Sequence, residues 1–294
     1  MKTAFRIATA QYQPQAFSEW ENYAIHYRTL VQQAKDLDAA IVLMPEYSAL
    51  ELTYLFKGQS SLAAQLPALQ ELLPKYLAHF RQLAAEFNLY ILPGTFPVYD
   101  KNNLFYNRAY FFGPDKEGFQ DKLQLTQFER ASNLIQAGQQ QRIFATALGK
   151  VGIAICYDSE FPVLVSQLAN AGAELILVPS CTDTLAGYHR VSLSCRARAL
   201  ENQCYVAQSC LVGQTDWSEI IDVNVGRAEI FSPIDGDFPS DGIIAQGQLN
   251  TTELVIGEVQ LSKLKEVREK GAVRNFYDSQ CYKPCDIIQL VYLS

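Results

Sequence analysis

The sequence predicts an α/β fold in which strands and helices are layered. Three observations carry this: short apolar runs rich in β-branched residues recur along the chain, amphipathic stretches separate several of them, and Pro, Gly or polar turns close the runs. Residues 4–10 read as the first strand. Residues 19–37 follow as an amphipathic helix, with Trp20, Tyr23, Tyr27, Leu30 and Val31 on one side. A strand at 40–44 must finish at Pro45, which has no N–H for a central ladder. A helix over 67–87 starts after Leu66, with Pro67 in its first turn. Strands near 89–98, 104–112 and 118–125 come next, then a hairpin of 142–148 and 151–155 around Gly149-Lys150. A helix at 162–171, a strand at 174–178, a helix near 189–202 and strands at 204–211, 227–232, 242–247 and 253–259 close the body. The segments 213–226 and 233–239 are turn-rich connections.

There are no internal repeats, low-complexity tracts or interdomain linkers, so residues 1–271 read as one domain. After a helix near 260–270, residues 272–294 form a tail rich in Phe276, Tyr277, Tyr282, Ile287, Ile288, Leu290, Val291 and Tyr292, an apolar surface that must pack on the domain or across a dimer.

Composition narrows the function classes. The 294 residues are 49% hydrophobic, enough for a sizeable core. The balance of 24 basic against 31 acidic residues, net −7 and without a basic cluster, argues against nucleic acid or an anionic membrane as partner. Seven cysteines, an odd number, read as reduced thiols rather than a disulfide framework, and the N-terminus lacks the apolar run of a signal peptide. The expectation is a cytoplasmic enzyme. No HExxH, paired CxxC or carboxylate-rich loop suggests a metal, and no GxGxxG or GxxxxGK[ST] suggests a nucleotide, so no cofactor is expected.

The chemistry concentrates at strand ends. The run 151–155 stops at Cys156, followed by Tyr157-Asp158-Ser159-Glu160-Phe161 and then Pro162 at a helix start. A thiol at such a strand-to-helix elbow sits on rigid backbone near amide donors; the bland alternative is a buried cysteine acting as a small apolar residue. Glu46 follows Pro45 at the C-terminal end of its strand, where ligand chemistry gathers in α/β sheets. Lys122 lies in the segment 118–125, and Glu129 is seven residues beyond it. Singly, a Glu or a Lys is an ordinary surface charge; with the cysteine elbow the three form a pattern.

That pattern resembles the nitrilase superfamily of carbon–nitrogen hydrolases. The matching residues are Pro45-Glu46, Lys122, and Cys156-Tyr157-Asp158 with Phe161-Pro162. Residues 178–180 and 196–202 fit the strand and helix after the nucleophile, residues 7–14 resemble the first strand, and the likeness spans roughly residues 4 to 260. Gln120, Asp121, Leu123 and Gln124 stand where many members carry a tyrosine, an arginine and a histidine around the lysine, which bears on subfamily more than on chemistry. The resemblance implies a four-layer αββα sandwich, pairing of subunits into a homodimer or larger assembly, Glu46 as base, Lys122 as the lysine, Cys156 as nucleophile and Glu129 as the second glutamate.

Such residues can work together. Glu46 takes the thiol proton and returns it to a departing amine, while Lys122 and the backbone N–H of Tyr157 stabilise an oxyanion. The thioester that forms is hydrolysed by water activated by Glu46. The expected reaction is hydrolysis of a small non-peptide amide or N-carbamoyl compound. The alternatives are acyl transfer from the same thioester, or a binding or scaffold protein that keeps the fold without turnover. Tyr47, Cys181, Thr182 and Asp183 lie just beyond strand ends and are candidates for the pocket wall. His189 is a candidate for the pocket or for a dyad with Cys156, a dyad that would leave Glu46 and Lys122 unexplained; His26 and His79 lie in helical patterns far from the motifs. Arg198 and Glu201, three apart, read as a lock on one helix.

Overall fold

The structure, a computed structural model, describes residues 4–56, 61–99 and 104–281. The first half contains β1 (Ala4–Tyr12), α1 (Trp20–Asp36), β2 (Ala39–Leu43), a 3-10 segment (Ser48–Phe56), α2 (Leu62–Leu69), α3 (Leu73–Phe87) and β3 (Tyr90–Leu92). It continues with β4 (Thr95–Tyr99), β5 (Phe105–Phe112), β6 (Glu117–Asp121), α4 (Gln127–Ser132) and β7 (Ile135–Gln136). The second half contains β8 (Ile143–Thr146), β9 (Gly149–Ile153), a 3-10 turn (Cys156–Glu160), α5 (Pro162–Asn170), β10 (Leu175–Ser180), α6 (Leu185–Glu201) and β11 (Tyr205–Leu211). A small pair, β12 (Gly213–Gln214) and β13 (Val223–Asn224), precedes β14 (Glu229–Phe231), β15 (Ile243–Gln246), β16 (Glu253–Gln260), α7 (Leu261–Lys270) and α8 (Asn275–Cys281).

The sheet divides at β1. One edge of β1 pairs in parallel with β2. On the other edge β16 runs antiparallel from Ala4 to Gln11; past the end of β2, Gln11 and Tyr12 pair in parallel with β11 on the β2 edge. From β2 the ladder passes through β3 and β5 to β4; from β11 it passes through β10 and β9 to β8. Alternation then sorts the side chains. Ile7, Ile41, Leu43, Leu92, Ala109 and Phe111 point into a core shared with β9, β10 and β11. Their neighbours Ala8, Val42, Met44, Ile91, Tyr110 and Phe112 point into a second core filled by Tyr23, Tyr27, Tyr76 and Phe80 of α1 and α3.

The two sheet halves therefore lie face to face. Phe111 meets Phe144 edge-on with centroids 5.4 Å apart, and the Tyr90 hydroxyl accepts the Ala147 N–H at 2.9 Å. Gly118 lets the two halves approach at this seam: a Cβ there would fall 2.7 Å from the Phe144 ring, which would have to shift. With Val165 and Leu168 of α5 and Val191, Cys195 and Ala199 of α6 packed on the far side, the layers are helix, sheet, sheet, helix: the four-layer αββα sandwich. All six residues of β10 are buried, as expected of a parallel strand covered on both faces.

Local chemistry accounts for the departures from the sequence reading. The single helix expected over 67–87 is two helices joined by a 3-10 turn at Gln70–Leu72. Pro74, in the first turn of α3, starts the second one, while Pro67 lies inside α2. The segment expected as strand over 118–125 leaves the ladder after Asp121, because the N–H groups of Leu123 and Gln124 bond the Asp158 carboxylate. Helix α6 begins at Leu185 rather than 189, where the Thr184 hydroxyl caps the Gly187 N–H. The first part of the tail packs on its own chain: Gln203 bonds both the Val273 carbonyl and the Phe276 N–H, and Arg268 lies 3.9 Å over the Phe276 ring. Tyr282, Ile287, Ile288, Leu290, Val291 and Tyr292 lie outside the described residues. Among the described residues no helix is long and apolar enough to cross a membrane.

Candidate active site

Strand ends from both halves of the sheet converge on one cavity of about 750 Å³. Glu46 enters from the end of β2, held by Pro45 and by close approach of the loop after β3. A Cβ on Gly94 (φ +85°) would fall 2.0 Å from the Pro45 carbonyl oxygen, so only glycine fits there. Tyr47, at φ +59°, turns its ring back, and its hydroxyl donates to Glu129 at 2.6 Å. Lys122 follows β6 directly, and its N–H donates to the Asn107 carbonyl of β5 at 2.9 Å. Glu129 sits at the third position of α4. There its carboxylate accepts the Thr126 N–H while the Thr126 hydroxyl accepts the Glu129 N–H, a reciprocal capping box.

Cys156 occupies the elbow between β9 and α5 with φ +45°, an uncommon conformation for a non-glycine residue that the surroundings must hold. Several bonds do so. Ser159 Oγ donates to the Cys156 carbonyl at 2.7 Å, and the Asp158 carboxylate accepts the N–H groups of Ile155, Leu123 and Gln124. Asp158 thus ties the elbow to the lysine segment. Arg198 reaches from α6 to the carbonyls of Ser159 and Glu160 as well as pairing with Glu201. The expected helix lock is therefore also a brace on the elbow.

The ionic centre is buried and paired. Glu46, Lys122 and Glu129 are 1%, 1% and 3% exposed. Lys122 Nζ donates to Glu46 Oε1 at 2.8 Å and lies 2.9 Å from both Glu129 oxygens. Three carboxylate oxygens thus lie within 2.9 Å of the ammonium, which also lines the cavity. Cys156 lies beside this cluster, its thiol donating to the Cys181 carbonyl at 3.6 Å, and the Cys181 N–H donates to Glu46 Oε2 at 3.1 Å.

Electrostatics separates the two carboxylates. Burial raises the Glu46 pKa, only partly opposed by Lys122. Burial acts on Glu129 too, but Lys122 and the bonds from Tyr47, Lys122 and the Thr126 N–H bring it below the ordinary range. The surroundings thus favour the charged form of Glu129 more than that of Glu46. The Cys156 thiol is pushed well up by burial and by the Glu46 charge. Lys122 loses affinity for its proton through burial but gains more from the two carboxylates, and stays protonated. One cation against two carboxylates leaves one surplus negative charge, so ionising the thiol in place would add a second. A proton leaving Cys156 is therefore best kept within the cluster.

Of the residues singled out in the sequence, the structure brings Glu46, Tyr47, Lys122, Glu129, Cys156, Tyr157, Cys181, Thr182 and Asp183 to this cavity. His189 is not among them. It lies on the exposed face of α6, and Gly187, Arg190 and Val191 face the cavity in its place. The reason is helix phase: with the helix starting at Leu185, position 189 turns outward. The Cys156–His189 dyad has no geometric support. His26 bonds the Tyr12 hydroxyl at 3.1 Å, away from the cavity.

Three participants escaped the sequence reading. Asn107, 0% exposed, donates to Glu46 Oε1 at 2.8 Å and Glu129 Oε1 at 3.3 Å; nothing in its local pattern marks it. The loop carrying Glu219, Ile220 and Asp222 reaches the mouth only through the tertiary fold. Helix α4, by contrast, had a readable signal in Thr126-Gln127-Phe128-Glu129, the sequence form of a capping box.

Known proteins resemble this chain in sequence and in fold. The carbon–nitrogen hydrolase family model matches residues 6–269. The chain is 36% identical over 281 residues to "Probable hydrolase YhcX" of Bacillus subtilis, covering 94% of this chain and 54% of the relative, so it spans about half that protein's length. It is 29% identical over 255 residues to omega-amidase NIT2-B of Xenopus laevis, covering 83% of this chain and 85% of the other. The crystal structure of a carbon–nitrogen hydrolase from Helicobacter pylori superposes with a TM-score of 0.76 at 18% identity, covering 91% of this chain and 92% of that one, a likeness of fold. Family model, fold and the convergence of Glu46, Lys122 and Cys156 lead to one conclusion: the chain belongs to the carbon–nitrogen hydrolase family of the nitrilase superfamily.

Proposed function

We propose that the chain is a cysteine-dependent amidase that hydrolyses a small non-peptide amide or N-carbamoyl compound through a thioester. The observation that carries this reading is the buried Glu46–Lys122–Glu129 cluster beside a thiol held at positive φ on an open cavity. Cys156 sulfur attacks the carbonyl carbon while its proton passes to Glu46, and the carbonyl oxygen gathers charge against Lys122 and the Tyr157 N–H. Collapse of this adduct breaks the C–N bond, and Glu46 returns the proton to the departing amine. Water then attacks the thioester, giving its proton to Glu46, and the thiol re-forms as the acid leaves.

The cavity mouth supports a polar substrate. Asp183, Glu219 and Asp222 stand there beside the Arg190–Glu160 pair, so amine-bearing amides are expected to outcompete anionic ones of equal size. Names among the relatives, omega-amidase in particular, agree with an amide bond as target. The test is incubation with pooled small amides and N-carbamoyl compounds, neutral, cationic and anionic, while ammonia release and intact protein mass are followed together. Turnover with a transient acyl adduct, both lost in Cys156→Ala, is the expected result. Undiminished turnover in that variant would overturn the nucleophile.

A further inference from the structure

We propose that Asn107 is a positioning residue that decides which oxygen of Glu46 exchanges a proton with Cys156. The inference deepens the proposed function and rests on Glu46 being the base. Asn107 Nδ2 has two N–H bonds, one aimed at Glu46 Oε1 (2.8 Å) and one at Glu129 Oε1 (3.3 Å). Those two atoms also receive the Lys122 ammonium, at 2.8 and 2.9 Å. The facing oxygens of two buried carboxylates are thus bridged twice, once by a cation and once by a neutral amide.

The consequence lies in the lone pairs. A carboxylate oxygen accepts about two hydrogen bonds well. Among the described residues Glu46 Oε1 accepts from both Lys122 and Asn107, whereas Oε2 accepts the Cys181 N–H, and the Cys156 thiol lies within hydrogen-bonding reach of the same carboxylate. A proton arriving from the thiol therefore settles on Oε2. Without Asn107, Oε1 has an equal vacancy on the side of Lys122, where a proton is of no use to a departing amine. Glu129 cannot compete, since Tyr47, Lys122, Asn107 and Thr126 all donate to it.

The amide cannot turn over, because a flipped Asn107 would set Oδ1 against two carboxylate oxygens. In the arrangement observed, Oδ1 is buried without a partner among the described residues, an orphaned acceptor tolerated where the donor end is needed. The Asn107 carbonyl also accepts the Lys122 N–H, so one residue of β5 fixes the lysine backbone and both carboxylates.

The experiment needs no substrate. Iodoacetamide labels Cys156, followed by peptide mapping from pH 5 to 9, for wild type, Asn107→Leu, Asn107→Asp and Glu46→Gln, with melting temperatures measured alongside. The titratable groups facing Glu46 are Tyr47, Lys122, Glu129, Cys156 and Cys181. Of these Glu46 is expected to set the acid limb of the labelling rate. Loss of a hydrogen bond to the charged form moves that limb up by about one pH unit in Asn107→Leu. In Asn107→Asp a third carboxylate moves it further in the same direction. Limbs that coincide with wild type in the folded variants would overturn the proposal, and if Asn107→Leu does not fold, the near-isosteric Asp variant decides alone. Glu46→Gln separates the two readings: its limb should vanish, and a limb that persists there overturns the base assignment, and the role of Asn107 with it.

Discussion

Replacing Lys122 by methionine keeps the chain length and removes the cation between two buried carboxylates. Breaking a buried ion pair by deleting one partner costs about 3–5 kcal/mol, and here one ammonium serves Glu46 and Glu129 together, 2.8 and 2.9 Å away. The upper end of that range applies when both carboxylates are ionised. One of them escapes by binding a proton, and it is Glu46, whose pKa burial already raises while Glu129 is held low by its donors. In the variant the folded pKa of Glu46 lies further above the value of about 4.3 in the unfolded chain. The folded protein then holds a proton that the unfolded chain has released. Stability is accordingly kept at low pH and lost as pH rises from the unfolded pKa toward the folded one, at about 1.4 kcal/mol per unit.

The expected penalty relative to wild type is therefore about 1–2 kcal/mol at pH 5 and about 4–5 kcal/mol at pH 8. Urea denaturation of both proteins at both pH values measures it, since the difference cancels groups the two share. Lys122→Met/Glu46→Gln carries one carboxylate fewer, and its penalty should be nearly flat with pH. Equal penalties at pH 5 and pH 8 in the single variant would refute the idea that Lys122 stabilises by compensating charge.

Three further outcomes follow from other parts of the fold. Burial pushes the Glu51 carboxyl up to about 8. By the same sign argument its contribution falls as pH rises from about 4.3 to 8, so Glu51→Gln should match wild type within about 1 kcal/mol at pH 5 and exceed it by roughly 2–4 kcal/mol at pH 9; equal pH dependence of the two urea midpoints would contradict this. Arg198→Ala strips the brace from the carbonyls of Ser159 and Glu160 and should cost roughly 2–4 kcal/mol and slow Cys156 alkylation, a loss in stability alone counting against the brace. Leu185, Leu193 and Leu200 are 47%, 63% and 38% exposed along one face of α6, with Val163 of α5 66% exposed. This apolar stripe predicts a homodimer in sedimentation that Leu193→Glu converts to monomer; a monomeric wild type would remove the prediction.

Local physics made much of this readable in the chain itself. Apolar runs ending at Pro45-Glu46 and at Cys156 have few alternatives to being strands that stop there, because proline ends a ladder and polar residues leave the core. Which side chains of β1, β2 and β5 face which core was not legible, because these runs are apolar on both faces and nothing local announces that the two sheet halves stack. The order Glu46, Lys122, Cys156 carried the family, and Thr126 with Glu129 already wrote the cap of α4.

What the tertiary structure decided is whatever depends on through-space partners. Asn107 sits in a strand whose sequence resembles any other, and it matters only because β5 passes between Glu46 and Glu129, 61 and 22 residues away in sequence. His189 was four positions from the true helix start, and the resulting phase, not its chemistry, turned it out of the cavity. The opposite pKa shifts of Glu46 and Glu129 were likewise hidden, since identical side chains acquire unlike pKa values only through burial and the donors that the fold aims at each. A sequence specifies backbone periodicity locally because side-chain spacing and dihedral preferences are local. Charge, solvation and hydrogen-bond occupancy belong to the folded arrangement, because they are set by neighbours that the chain meets only after it has closed on itself.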